Sequence, residues 1–369
     1  MKKREMSLLL VVVMLVSMFT ACGASSKVGY EIALVTDKGN IDDKSFNQGS
    51  WEGVVAFAEA NGITHQYYKP EEASDEGYLN AISLAVDGGA KVVVCPGYLF
   101  EVAVYNAQTM FPDVKFILLD GEPHTPDYRY RTEANVACIK YAEEEAGYLA
   151  GYAAVMEGMR TLGFEGGMAV PAVIAFGQGY LQGIEAAATE LGLDDGSVKV
   201  FYHYTGDFAE TDANKATAKA MFESGAEIIF GCGGAVGKSV FSAATEANGK
   251  TIGVDVNQKD DSQTVITSAM KGLGVSVEVV LEAIYADSFD TYAGKTTYFS
   301  AVNNGVSLPD DYERFTTFTK EQYDAVYATL VDGTVDPVRA VETAEQSGIA
   351  TADELAEGLG LRKVVVEIR

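Results

Sequence analysis

Short apolar runs alternate with longer amphipathic segments along almost the whole chain from residue 30 onward. The runs predict strands at Ile32–Val35, His65–Tyr68, Lys91–Cys95, Lys115–Leu119 and Asn135–Tyr141. Helical periodicity separates them at Phe46–Ala60, where Trp51, Val54, Val55 and Ala58 share a face, and at Gly77–Asp87 and Phe100–Thr109. A helix over Glu143–Glu157 leads out of this half, and the pattern restarts. Thr161–Gly163 precedes a loop, Phe164–Pro171, and a helix, Tyr180–Leu191. Strands at Val198–His203, Glu227–Phe230 and Thr251–Val254 then alternate with helices at Asp212–Glu223 and Lys238–Ala247. Such alternation implies parallel sheets with helices on both faces. The expected fold is therefore α/β, built as two successive doubly wound lobes with a cleft between them.

The remaining segments are expected to return across that cleft. Val265–Ala269 and a helix near Val275–Ala286 would rejoin the first lobe. Thr296–Val302 and a helix over Lys320–Leu330 would rejoin the second, followed by a helical signal around Asp353–Gly358 and a terminal strand, Lys363–Ile368. This divides the chain into 29–141 plus 262–295 and 142–261 plus 296–369. The N-terminus stands apart. Lys2, Lys3 and Arg4 precede an almost wholly apolar stretch, Leu8 to Phe19, which is short for a membrane span and reads as a secretory signal over residues 1–21. It ends in Phe19-Thr20-Ala21-Cys22, which is similar to a bacterial lipoprotein signal box with Phe19 in place of the usual Leu. Lipid on Cys22, a tether over 22–28 and a place on the outer face of the cell membrane are the expectation.

A net charge of −26 repels nucleic acid and anionic headgroups, so membrane attachment would come from that lipid and not from a basic face. Cys95, Cys138 and Cys232 form no C-x-x-C pair and read as buried small hydrophobes in preference to a disulfide.

Candidate chemistry concentrates in the first strand-to-helix loop, Thr36-Asp37-Lys38-Gly39-Asn40-Ile41-Asp42-Asp43-Lys44-Ser45-Phe46-Asn47. Ligands of open α/β sheets collect at the carboxyl ends of strands, and a phenylalanine among so many polar residues is odd for a plain turn. Capping of the next helix by Asp42, Asp43 or Ser45, with Phe46 as a staple, is the simpler account of some of them. Gly231 to Ser239 nearly spells a phosphate-binding P-loop, but the position needing its first glycine is Cys232. His65, His124 and His203 are scattered, and no zinc motif, serine elbow or convergent acid–base pair stands out, so neither a metal nor a cofactor nor an enzymatic activity is expected.

The loop residues Thr36-Asp37 and Asp42-Asp43-Lys44-Ser45-Phe46-Asn47 are followed by Gly163-Phe164-Glu165-Gly166-Gly167-Met168 and Phe176-Gly177-Gln178-Gly179-Tyr180-Leu181-Gln182-Gly183. Gly231–Gly234, Gly253-Val254-Asp255 and Thr267-Ser268-Ala269-Met270-Lys271 come next. In this order they resemble the basic membrane protein family, bacterial substrate-binding lipoproteins of ABC importers whose best understood branch binds purine nucleosides. The resemblance implies a two-lobed fold of the type I periplasmic-binding-protein kind, with permease subunits as partners. It also implies guanosine, inosine or adenosine as ligand. Phe46 and Phe208 match a pair of rings around the base; Asn47 and Asp120 match positions facing the base edge. Asp255 and Lys271 match residues gripping ribose hydroxyls, with Gly233 and Gly234 allowing close backbone approach. Asp37 and Ser45 belong to the first matched motif and join the expected ligand-binding set. The chain departs from the pattern around Asp207 and Ala209, and it lacks the family's threonine in the glycine run. Another small polar ligand such as a sugar, or a sensor role at the surface, is the competing expectation.

Overall fold

The computed structural model describes residues 29–339 and 350–369. The expected signal segment, Cys22 and the expected tether lie outside the described residues.

Strands β1 (Ile32–Val35), β2 (His65–Tyr68), β3 (Val92–Pro96), β4 (Lys115–Leu119) and β5 (Val136–Tyr141) build the first sheet with β11 (Lys295–Phe299), in the order β11-β5-β4-β3-β1-β2. Every pairing in it is parallel. The second sheet contains β6 (Thr161–Gly166), β7 (Val198–Tyr204), β8 (Ile228–Cys232), β9 (Lys250–Asp255), β10 (Val265–Lys271), β12 (Val306–Ser307) and β13 (Val364–Ile368). Its order is β12-β10-β9-β8-β6-β7-β13, parallel except for β12 against β10. Parallel strands need helical crossovers, and these cover both faces. On one face of the first sheet, Val93 and Leu118 pack with Tyr78, Ile82 and Val104 from the helices Asp75–Asp87 and Glu101–Met110. On the other, Leu34, Val94 and Ile117 join a core that continues into the second lobe.

The returning segments cross differently from the sequence expectation. Val265–Lys271 stays in the second sheet, where Ser268 pairs with Gly253 and Ala269 with Val254. Lys295–Phe299 goes back to the first sheet instead, with Thr297 opposite Ile139. The reason is edge pairing: each strand satisfies the bare backbone groups of an exposed neighbour, β9 or β5. Of the two segments expected to rejoin the first lobe, only the helix Leu273–Tyr285 does so, against the helix Phe46–Asn61. There a Cβ on Gly53 would lie 2.6 Å from the Gly274 carbonyl oxygen, so only glycine permits the approach. The chain thus crosses three times, near 141–143, 271–273 and 299–306. The crossings are tied by Ala142 N–H to the Phe299 carbonyl (2.9 Å) and Gly272 N–H to the Gly305 carbonyl (2.8 Å).

A second difference concerns the expected loop Phe164–Pro171. The strand runs on to Gly166 and the following helix starts at Pro171, spanning Pro171–Glu190. Pro171 stands in the first turn, where its missing N–H has no partner to lose. Gly183, inside the expected helix, is a packing residue: a Cβ there would sit 1.9 Å from the Tyr148 carbonyl oxygen of helix Glu143–Met156.

The far end of that helix is anchored by Glu157. Its buried carboxylate accepts from the N–H and hydroxyl of Thr316 (2.8 and 2.6 Å), those of Thr317 (2.9 and 3.0 Å) and the N–H of Phe318 (3.0 Å). Burial works against ionisation, but the hydrogen bonds from Thr316, Phe318 and Thr317 outweigh it and hold the carboxyl at about 2. A folded value below the unfolded 4.5 means a stabilisation complete above pH 4.5 and lost as pH falls through about 2. Glu157→Gln should lower stability by about 2 kcal/mol at neutral pH. Thermal melts across pH should show the gap between variant and wild type closing in that acid window, and a gap independent of pH would contradict the assignment.

Candidate ligand-binding site

The first loop folds around Asp43. Its Oδ1 accepts from the N–H groups of Ser45 (2.8 Å) and Gln48 (3.1 Å), and its Oδ2 from the N–H of Asn47 (3.0 Å). Asp43 therefore caps the helix Phe46–Asn61, while Ser45 makes no side-chain cap. Freed from capping, Ser45 reaches across the cleft and donates to Asp255 Oδ2 at 2.5 Å. The two lobes also meet where Gln258 Nε2 donates to the Lys44 carbonyl (2.7 Å) and where Lys271 Nζ donates to Asp120 Oδ2 (2.5 Å).

A cavity of about 400 Å³ lies between the lobes at the carboxyl ends of both sheets. Asp37, Phe46, Asn47, Asp120, Phe208, Gly233, Gly234, Asp255 and Lys271 all line it. Of the expected residues only Ser45 does not; it is fully buried behind Asp255. Phe46 comes from the first lobe and Phe208 from the loop after β7 in the second. The Phe208 ring rests on a glycine seat: a Cβ on Gly167 would lie 2.5 Å from its Cδ1, and one on Gly233 3.1 Å. Asp207, the departure from the expected pattern, secures the turn by accepting from Ala209 N–H (2.9 Å) and Asn214 Nδ2 (3.1 Å).

Asp120 and Asp255 follow and end their strands in the left-handed region, at φ 56° and 65°. That conformation is unusual for a residue with a side chain, and such strain gathers at functional sites. Lys271 is the hub. Besides Asp120, its ammonium meets Glu143 Oε1 at 3.0 Å and Asp255 Oδ1 at 4.0 Å. It lies 4.7 Å from the Phe46 ring centroid and 5.3 Å from that of Phe176. Desolvation opposes its charge, yet Asp120, Glu143 and Asp255 keep its pKa above the ordinary lysine value. Burial raises three of the carboxyls as well. Burial pushes Asp120 up to about 7 against the pull of Lys271, and pushes Asp37 up to about 6. Burial also raises Asp255.

The two residues expected at the base edge are already engaged within the protein. Asn47 was expected at a base edge, but its amide nitrogen donates to Asp37 Oδ1 (2.7 Å) and Asp43 Oδ2 (2.9 Å), and its oxygen accepts from Asp37 N–H (3.1 Å). It braces the loop. Asp120 already gives one oxygen to Lys271, and its Oδ1 is buried without a partner among the described residues. Asp37 is better placed at the cavity wall: a Cβ on Gly97 would come within 3.7 Å of its Oδ2 and 3.8 Å of Phe46 Cε1. Glu143, Phe176 and Lys238 are site residues that sequence reasoning gave no role, whereas Tyr98, which its place after the strand ending at Cys95 lets line the cleft, does line the cavity. Phe176 stands inside a matched motif, and Tyr98 follows a strand; Glu143 carries no local signal. Cys232, at the cavity wall, is a free thiol like the buried Cys95 and Cys138.

Comparison with known proteins agrees with this architecture. A solute-binding protein of an ABC transporter system from Aeropyrum pernix K1 has the same fold, with a TM-score of 0.77 at 21% identity, covering 90% of this chain and 100% of that one. The ABC transporter nucleoside-binding protein BmpA of Lactococcus lactis subsp. cremoris is 28% identical over 366 residues, 91% of this chain and 99% of that protein. Basic membrane protein A of Borreliella burgdorferi is 29% identical over 283 residues, 74% of this chain and 79% of that protein. The family described as ABC transporter substrate-binding protein PnrA-like matches residues 31–331. The chain belongs to that family, and it is a substrate-binding protein and not an enzyme.

Proposed function

We propose that this protein binds purine nucleosides such as guanosine, inosine and adenosine between its lobes and delivers them to the permease subunits of an ABC importer. The observation that carries the reading is the pairing of Phe46 and Phe208, one from each lobe, on a single cavity that also holds the Lys271 cluster. Small-molecule sites occupy roughly 300–1,000 Å³ and combine apolar walls with a few placed polar groups; the cavity of about 400 Å³ fits that range. Stacking of a base on an aromatic ring contributes roughly 1–3 kcal/mol and tolerates any base. Base edge and ribose would then be read by polar groups: Asp37 with the free oxygen of Asp120 for the edge, and Asp255 with Lys271 for the hydroxyls. The nucleoside-binding relative from Lactococcus supports the same ligand class.

The protein would work at the outer face of the cell membrane, held by lipid on Cys22 after removal of the signal segment. Two or more acyl chains are needed for stable anchoring. Calorimetry with guanosine, inosine, adenosine, cytidine and arabinose tests the ligand reading. Saturable one-to-one binding of the purine nucleosides, without release of free base, is the expected result. Binding of arabinose alone would replace the nucleoside by a sugar.

A further inference from the structure

We propose that Glu143 is a positioning residue that aims Lys271 at the ligand and, through Arg339, ties the filled cleft to the interlobe crossings. The inference rests on the nucleoside reading given above. Glu143 is buried and divides its carboxylate between two cations. Its Oε1 meets Lys271 Nζ at 3.0 Å and its Oε2 accepts from Arg339 Nη2 at 3.0 Å. Arg339 also donates from Nη1 to the Tyr141 carbonyl (2.7 Å) and to Glu144 Oε2 (2.6 Å), and its guanidinium lies 5.8 Å from the Tyr298 ring centroid. Tyr141 and Glu144 flank the first crossing, Lys271 begins the second, and Tyr298 precedes the third. A single carboxylate therefore stands between the ammonium that lines the cavity and the guanidinium that clasps the hinge.

The chemistry explains why this place needs a carboxylate. Without Glu143, the ammonium would be drawn towards Asp120 (2.5 Å) and Asp255 (4.0 Å), which lie on opposite lobes. Glu143 opposes that pull from a fixed origin, the first residue of the helix Glu143–Met156, where the helix dipole favours an anion. Burial penalises its charge, but Lys271 and then Arg339 outweigh the penalty. Any rotation at the crossings that shifts Arg339 must move this carboxylate, and with it the reach of Lys271.

The test is a double-mutant cycle read by calorimetry on the whole protein, with Glu143→Gln, Arg339→Met and the pair. Each single change should weaken guanosine about tenfold, on the scale of one charge-assisted hydrogen bond. The double variant should be little worse than Glu143→Gln alone, because both changes break one chain of contacts. Binding of 2′,3′-dideoxyguanosine should change less than about twofold in every variant, since it lacks the hydroxyls that Lys271 would meet. A merely structural role would weaken both ligands alike. If Glu143→Gln does not fold, Arg339→Met carries the same comparison, its side chain being 25% exposed. Wild type that binds guanosine, with additive losses, equal losses for both ligands or no loss, overturns the coupling alone. Wild type that binds no nucleoside overturns the reading of the site and the proposal with it.

Discussion

Guanosine 5′-monophosphate should bind at least about a thousandfold more weakly than guanosine. The cavity is lined by Asp37, Asp42, Asp43, Asp120, Asp255 and Glu210, against Lys38, Lys238 and Lys271. Lys271 is committed to Asp120 and Glu143, and Lys238 reaches the Asp42 carbonyl at 3.5 Å. The glycine run at the start of helix Val236–Ala247 offers a rival phosphate cradle at the cavity wall. Its amides are largely spent: Ala235 N–H donates to the Phe208 carbonyl (3.0 Å), Val236 N–H to the Gly233 carbonyl (3.1 Å) and Lys238 N–H to the Ala235 carbonyl (3.1 Å). A dianion buried there would lose its hydration without matching partners, at a penalty of several kcal/mol, and about 4 kcal/mol is a thousandfold. Competition calorimetry measures the ratio. Similar affinities would mean that the amides rearrange into a phosphate nest.

Replacing Lys271 should damage both binding and stability. In Lys271→Met, three buried carboxylates, Asp120, Glu143 and Asp255, lose their shared counter-ion. Breaking a buried pair on one side typically destabilises by about 3–5 kcal/mol, since the abandoned charge stays behind. Guanosine binding should fall at least a hundredfold, about 2.7 kcal/mol. The pH dependence has a definite sign. A carboxyl whose folded pKa lies above its unfolded value destabilises the fold when ionised, and the penalty is relieved as pH falls through the folded value. Burial already raises Asp120 to about 7 with the lysine present, and its removal raises the carboxyl further. Urea titrations should show the variant closest to wild type near pH 5 and furthest from it near pH 8. A deficit that grows towards acid would contradict this picture of the cluster.

The sequence carried the fold where periodicity and edge chemistry are local. Ile32–Val35, Lys115–Leu119 and Asp212–Glu223 have the expected bounds, because each is a buried run or an amphipathic stretch with clear stops, and the half-buried edge strand His65–Tyr68 keeps its bounds too. What was illegible depends on partners distant along the chain. Nothing near Val265 says whether its strand completes β9 or returns to the first lobe; the open sheet edge decides. Pro171 looks like a loop residue until the helix is known to start on it, and nothing in the sequence tells that Gly183, inside the expected helix, presses backbone against backbone on the neighbouring helix. The residues now lining the cavity were mostly nameable because their motifs sit at strand ends. Their division of labour was not. Asn47 is consumed by Asp37 and Asp43, and Ser45 by Asp255. Glu143 looked like part of an acidic helix start, Glu143-Glu144-Glu145, with no hint of its bond to Lys271.

The central claim is that one flat base lies between the two lobes' rings, with its sugar on the lysine cluster. A crystal structure of the protein grown with guanosine tests this most directly. The account predicts the purine stacked between Phe46 and Phe208, its edge towards Asp37, and both ribose hydroxyls within hydrogen-bond distance of Asp255 or Lys271. A nucleoside bound with its base away from both rings, or ordered anywhere but this cleft, would contradict it.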